Sequence, residues 1–322
     1  MLQSILLPMA IGFTIFISGM KLMELALHRL AGPYLQGILQ RSTATPIHGM
    51  AIGTVTTAFL QSSTAVTVIA IGLVNAGLLT FPRTLGIILG SNIGTCLTTE
   101  LIGLSLNKLS VPLLLLSLTV WLVTVLFKEF GALPSVRSFK LIETIRSSAV
   151  ALGGFSMLLS GMALMQAIGP AVQESPLFHW FLEKSTSSLW WGLAAGAVLT
   201  AIVHSSAAVI GMIMGFASIG AMPLELGVAI VLGANIGTCV TALLASFSGS
   251  KSGQYVAWSH TLLNAGGALL FMPFLGELSA VSEWFANSPA SQIAHAQTIF
   301  NVLSSLIALP LCYLPTIRKL RV

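Results

Sequence analysis

The sequence predicts an all-α polytopic membrane protein, built as an inverted-topology repeat with two re-entrant helical hairpins and about seven spanning helices. Three observations carry that prediction. The first is composition: of 322 residues, 55% are hydrophobic and 7% charged. A soluble domain carries about 25% charged residues, so there is too little polar surface here to cover a globule in water. The second is segmentation into apolar stretches near the roughly 20 residues that cross a bilayer core. The third is an internal duplication. Residues 53–103 and 196–246 align without a gap at an offset of 143, with 20 identities in 51 positions. Gln61-Ser62-Ser63-Thr64 falls on His204-Ser205-Ser206-Ala207. Gly90-Ser91-Asn92-Ile93-Gly94-Thr95-Cys96 falls on Gly233-Ala234-Asn235-Ile236-Gly237-Thr238-Cys239. Apolar composition alone does not hold two separated polar clusters in register, whereas a repeat does.

Segment 5–27 lacks a cleavage-site pattern and is expected to be a retained span. A loop is expected at 28–45, carrying Arg29 and Arg41. Segments 46–61 and 63–79 are each short for a crossing, with polar Gln61-Ser62-Ser63 between them. Two short helices meeting at a polar apex predict a re-entrant hairpin over about 46–79, since non-helical backbone at membrane depth is tolerated only inside protein or beside a water-filled cavity. Spans at 84–104 and 109–127 complete a first repeat, 1–127. Stretch 128–146 holds Lys128, Glu129, Pro134, Arg137, Lys140, Glu143 and Arg146 and is expected to be a cytoplasmic linker. In the second, inverted repeat (147–289) the run from Gly154 to Met165 echoes that from Gly12 to Met23. A loop is expected at 170–188, a hairpin at about 189–220, and spans at 226–246 and 255–275. A last span and a basic tail occupy 290–322.

If each hairpin returns to its own side, the N-terminus lies outside and the C-terminus in the cytoplasm. Arg29, Arg41, Arg83, Lys128, Arg137, Lys140, Arg146, Lys251, Arg318, Lys319 and Arg321 then collect inside, and Lys108 and Lys184 outside. This agrees with the positive-inside rule and predicts a multi-pass protein of the inner (plasma) membrane. A net charge of +5 is ordinary for such a protein and gives no support to nucleic-acid binding. Three crossings plus a hairpin per repeat send the second copy in from the opposite face. Many secondary transporters are built this way, with sites at the midplane where interrupted helices meet.

The second half-helix of each hairpin would start near the serine pair. Its first N–H groups lack intrahelical partners, the dipole is positive there, and serine hydroxyls add donors that rotate to suit. Ser62, Ser63, Ser205 and Ser206 are therefore candidates to cradle an anion without arginine. In the second motif, glycine at both ends permits an unwound turn. Asn92, Thr95, Asn235 and Thr238 then offer oxygen ligands suited to a hard cation such as Na⁺; the competing expectation is close packing by small residues, with asparagine joining helices. Gln61 offers a carbonyl to a cation or an amide to an anion. His204, its counterpart, belongs to the residue type that titrates near neutrality, which suits it to anion contact or proton coupling. His260 with Asn264, and Gln297 with Asn301, each share a helix face and are expected to support the site from behind. Lys21 and Glu24 are expected near the interface, and Glu100 late in a span has no assigned role.

No Walker A pattern, no Cys/His metal cluster and no Ser/His/Asp arrangement is present. The expectation is a non-enzyme with no cofactor and no metal other than sodium.

These motifs resemble the type II sodium–phosphate cotransporter family, including its bacterial members. The likeness rests on the duplicated Gln/His-Ser-Ser apex, the duplicated Gly-Ser/Ala-Asn-Ile-Gly-Thr motif, and the segments from His260 to Asn264 and from Gln297 to Asn301, and it covers about residues 11–311. The resemblance implies sodium-coupled movement of inorganic phosphate by alternating access. It implies phosphate contact at Ser62, Ser63, Ser205 and Ser206, and sodium contact at Gln61, Thr64, Asn92, Thr95, Asn235 and Thr238. The family's apex is commonly Gln-Ser-Ser-Ser. Thr64 keeps the last hydroxyl in the first copy, whereas His204 and Ala207 replace the amide and a hydroxyl in the second. The alternatives are a carrier coupled to protons or moving another oxyanion such as sulfate or arsenate, an anion channel, or a sensor that binds phosphate without moving it. Expected partners are phosphate, sodium and the bilayer, with a homodimer as the candidate assembly.

Overall fold

A computed structural model describes residues 5–129, 136–247 and 249–315. Its helices are α1 (Leu7–Ser42), α2 (Pro46–Leu60), α3 (Ser63–Asn75), α4 (Phe81–Gly94), α5 (Cys96–Gly103), α6 (Ser110–Glu129), α7 (Val136–Ala167), α8 (Gly169–Gln173), α9 (Pro176–Ser187), α10 (Trp190–Val203), α11 (Ser206–Ser218), α12 (Leu224–Ser246), α13 (Lys251–Phe271), α14 (Leu275–Glu283) and α15 (Pro289–Ala308). No strand occurs among the described residues. Seven stretches are long and apolar enough to cross a membrane: Leu7–Gly32, Phe81–Gly103, Leu106–Phe127, Lys140–Ala167, Leu224–Ser246, Lys251–Glu283 and Pro289–Tyr313. The shorter apolar helices α3, α10 and α11 fall where the hairpins are expected.

Three expected loops are helical. The loop at 28–45 is the continuation of α1 to Ser42, because Leu35 and Leu39 keep an apolar face that is buried. The loop at 170–188 contains α8 and α9. Ser175 starts α9, its hydroxyl accepting from the Phe178 amide, and Pro176 sits in the first turn, where a missing N–H is harmless. The linker at 128–146 is helical from Val136. Pro134 and the basic tail with Arg318, Lys319 and Arg321 lie outside the described residues.

The chain divides into two compact units. The first comprises residues up to Pro33 together with Leu106–Ala171. Here α1 and α7 cross antiparallel, with Gly12 against Gly161 and Gly19 against Gly154. A Cβ on Gly19 would stand 2.5 Å from the Gly154 carbonyl oxygen, and one on Gly154 would stand 2.5 Å from that of Gly19. Small residues let membrane helices approach this closely, and dispersion over the shared face then holds them together. The echoing runs at 12–23 and 154–165 are thus one crossing seen from its two sides. Helix α6 joins α7 through side-chain bonds to backbone carbonyls: Ser117 Oγ donates to Ala149 O at 2.7 Å, and Ser156 Oγ to Ser110 O.

The second unit holds Tyr34–Ser105 and Val172–Val322. Helix α2 lies along α4, and α10 along α12, through matched glycine contacts. A Cβ on Gly90 would collide with the Met50 carbonyl, and one on Gly233 with the Leu193 carbonyl. Both pairs are related by the sequence offset of 143. Its core gathers Val228, Leu232, Ala268, Met272, Leu278 and Phe300 from α12 to α15.

Candidate functional site

Both serine motifs lie in the second unit, each at the turn between two short helices. The first helix ends on a non-glycine residue in the left-handed region: Gln61 at φ 57°, ψ 27°, and His204 at φ 58°, ψ 25°. That conformation costs a side chain about 1–2 kcal/mol. It is held by a matching backbone bond, from Gln61 N–H to Thr57 O and from His204 N–H to Thr200 O, both 2.8 Å. The next residue, Ser62 or Ser205, is extended and caps the second helix. Ser62 Oγ accepts from Ala65 N–H and Ser205 Oγ from Ala208 N–H, both at 3.3 Å. Serine is a favoured cap because its hydroxyl satisfies an amide the helix cannot. Ser63 and Ser206 open α3 and α11, and Ser62, Ser63 and Ser206 are buried at 7–8% exposure. The first amides of α3 and α11 therefore meet buried hydroxyls at the positive end of a 13-residue helix dipole.

The two apices differ in their side chains. The Gln61 carboxamide turns back: Nε2 donates to Ala58 O at 2.5 Å and Oε1 accepts from Thr98 Oγ1 at 2.6 Å. His204 is exposed, and Thr64 is half-buried.

The asparagines are bridged across helices. Asn92 Nδ2 donates to Asn264 Oδ1 at 3.1 Å, and Asn235 Nδ2 to Asn301 Oδ1 at 3.3 Å. Both bonds use the amide nitrogen, which leaves each Asn92 and Asn235 carbonyl oxygen to face another partner. The supporting pairs work crosswise. Helix α13 reaches α4 through Asn264 and α12 through the His260 carbonyl, which accepts from Cys239 Sγ at 3.7 Å. Helix α15 reaches α12 through Asn301 and α5 through the Gln297 carbonyl, which accepts from Cys96 Sγ at 3.9 Å. His260, Asn264, Gln297 and Asn301 are all buried.

The unwound turn expected in the glycine motif does not form. Helix α12 runs unbroken through Gly233–Gly237. Thr95 interrupts the other copy for one residue, yet keeps φ −64°, ψ −24° and its bond from N–H to Ser91 O at 3.2 Å. The glycines serve close packing instead: Gly94 and Gly237 lie against Thr54 O and Ala197 O. In the unbroken α12 copy the backbone carbonyls stay within the helix, so side chains are the oxygen supply there. Thr95 Oγ1 donates to Asn92 O at 2.6 Å and Thr238 Oγ1 to Ala234 O at 2.9 Å, so each retains lone pairs but no free proton.

Several functional-looking residues escape sequence reasoning. Glu100 on α5 meets His295 Nδ1 at 2.9 Å and accepts from Thr298 Oγ1 at 2.5 Å. The signal was available as a histidine and a threonine three apart on one helix face. Thr99 Oγ1 donates to Gln297 Oε1 at 2.6 Å. Thr57 and Thr200, identical in the repeat and four residues before each apex, are fully buried with hydroxyls that lack a hydrogen-bond partner. Lys21 and Glu24 pair with each other at 2.6 Å on α1 in the other unit, away from the apices in the chain.

Seven bilayer-length stretches define a multi-pass membrane protein, whose duplicated apices and bridged asparagines are its candidate site. The chain belongs to the Na⁺/Pi-cotransporter family, whose model matches it twice, over residues 15–167 and 157–281. That family is one of transporters rather than enzymes. Among relatives, the "Uncharacterized protein YqeW" of Bacillus subtilis is 34% identical over 92% of this chain and 91% of its own length. The "Putative inorganic phosphate export protein YjbB" of Escherichia coli is 24% identical over 95% of this chain, which spans 53% of that protein. The "Sodium-dependent phosphate transport protein 2A" of Rattus norvegicus is 33% identical over 30% of this chain and 16% of its own. No solved structure matches the chain.

Proposed function

We propose that the chain is a sodium-coupled secondary transporter of inorganic phosphate, working by alternating access about a site built from the two serine apices. The observation that carries this reading is the repetition of one apex geometry: a left-handed residue, a serine cap and a buried serine opening an apolar helix, at both apices. In this reading Ser62, Ser63, Ser205 and Ser206 and the amides beside them hold phosphate. Gln61, Thr64, Asn92, Thr95, Asn235 and Thr238 supply oxygens to sodium, and His204 contacts substrate or carries a proton. The hairpins are re-entrant, and the repeats are inverted. Support for inversion comes from α1 and α7, whose echoing runs cross antiparallel. The N-terminus lies outside and the C-terminus in the cytoplasm of the plasma membrane, following the basic loops.

Radiolabelled phosphate uptake into proteoliposomes tests the reading, with an inward Na⁺ gradient set against a matched K⁺ gradient. Saturable uptake with Na⁺ alone is expected. Equal uptake with both cations would overturn sodium coupling in favour of protons, a reading that the exposed imidazole of His204 favours. Non-saturating flux would indicate a channel, and no flux with retained phosphate binding would indicate a sensor.

A further inference from the structure

The first unit contains a cavity of about 390 Å³ that belongs to neither apex. Its lining is about as polar as it is apolar; Leu22, Leu25 and Ala26 of α1, Val125 of α6 and Val150 of α7 supply the apolar part. Arg29, Glu143, Arg146 and Ser147 supply the polar part, with Trp121 beside them. All these residues stand at one end of three spans. Arg29 is near the end of Leu7–Gly32, Trp121 near the end of Leu106–Phe127, and Glu143 and Arg146 near the start of Lys140–Ala167. The antiparallel run of α7 against α1 brings those ends to the same membrane face. Arginine and tryptophan at span ends sit at the headgroup level. Among the described residues neither arginine has a carboxylate within ion-pair distance, the ion pairs there being Lys21 with Glu24 and His295 with Glu100.

We infer that this cavity binds the headgroup and upper acyl chain of one anionic phospholipid. Two unpaired guanidinium groups match a phosphodiester, since the planar fork of arginine suits phosphate oxygens. The apolar residues of the same lining match the start of an acyl chain, and basic pockets between spans on the cytoplasmic side are where anionic lipid headgroups bind. Free phosphate shares the headgroup's chemistry but gains nothing from the apolar residues. Glu143 in the lining opposes any anion and so weakens the site without abolishing the excess of positive charge. The lipid site rests on the proposed orientation, which puts these span ends on the cytoplasmic side, but not on the apices, none of whose residues lines it.

Native mass spectrometry of the purified protein in detergent tests this, with equal amounts of phosphatidylglycerol and phosphatidylcholine added. Preferential retention of phosphatidylglycerol is expected. Arg29→Ala and Arg146→Ala should each reduce that preference about fivefold, the effect of roughly one surface charge on an anionic lipid. Glu143→Gln should raise it, and Val150→Phe, which narrows the cavity, should reduce retention of both lipids. Equal retention of the two lipids by the unaltered protein would overturn the proposal. So would an undiminished preference in the alanine variants, or displacement of the lipid by millimolar inorganic phosphate. Where an alanine variant fails to fold, the Arg29→Lys/Arg146→Lys protein and Glu143→Gln carry the same test, because both keep the lining filled while changing its fit or charge.

Discussion

Gln61 and His204 stand 143 residues apart and share one left-handed backbone conformation, each held by an N–H bond to a threonine carbonyl one turn earlier. The same turn is thus built twice from different side chains, one folded back onto Ala58 and Thr98 and the other exposed. His204→Gln should keep the turn and remove the titratable group. If the imidazole takes part in coupling, the pH profile of phosphate uptake should differ between the unaltered protein and the variant, over and above the change that the ionisation of phosphate gives to both. An unchanged profile would remove His204 from coupling. His204→Val, a β-branched residue at positive φ, should instead lower stability by about 1–3 kcal/mol, read as a fall in thermal midpoint.

Ser63 and Ser206 open their helices without capping them, so their hydroxyls are available to a ligand at little cost to the fold. Ser63→Ala or Ser206→Ala should weaken phosphate binding by about 1.5–3 kcal/mol, the range for a hydrogen bond to a charged group, or roughly 10- to 150-fold. Thermal stability should change little. Ser62→Ala differs because it removes a cap and should cost about 1 kcal/mol of stability as well. Isothermal titration with phosphate beside a melting curve separates the two effects.

Thr57 and Thr200 carry buried hydroxyls with no partner. An unsatisfied buried hydroxyl costs about 1–3 kcal/mol. Thr57→Val and Thr200→Val keep the branched shape and should leave the melting temperature unchanged or raised. A marked fall would mean that these hydroxyls meet a water or an ion in the folded protein.

Gly90 and Gly233 face carbonyl oxygens of α2 and α10, backbone atoms that cannot swing aside. Gly90→Ala and Gly233→Ala should each destabilise by at least the 1–3 kcal/mol typical of overpacking. The expected observation is loss of monodisperse protein on gel filtration. Gly266, with open space around it, should accept alanine without that loss.

Glu100 and His295 join α5 to α15 in partly exposed surroundings. Glu100→Gln and His295→Ala should each lower the melting temperature, and the double variant should lose less than the sum. A coupling of about 0.5–3 kcal/mol is the range for residues in contact. Full additivity would mean that the pair contributes nothing to α5–α15 docking.

The membrane class, the span count and both apices were legible in the sequence, because hydropathy and an ungapped repeat are one-dimensional signals. Ser62 and Ser205 as caps follow from residue type and position alone. The expected loop at 28–45 was not legible as helix, since the burial of Leu35 and Leu39 that sustains it comes from packing. The unwound glycine turn was expected from conformational freedom and failed for the same reason: Gly90, Gly94, Gly233 and Gly237 are used for close approach, and a continuous helix satisfies its own amides at no further expense.

The sequence by itself determined that the chain is a duplicated, multi-pass helical protein with a polar break at the same place in each copy, since apolar length and repeat register need no third dimension. Only the tertiary structure decided what those polar residues touch. The crosswise bonds from Asn264 and Asn301, the partners of Glu100, and the arginine-lined cavity each join residues far apart in the chain, and contacts of that kind depend on how helices pack rather than on local pattern.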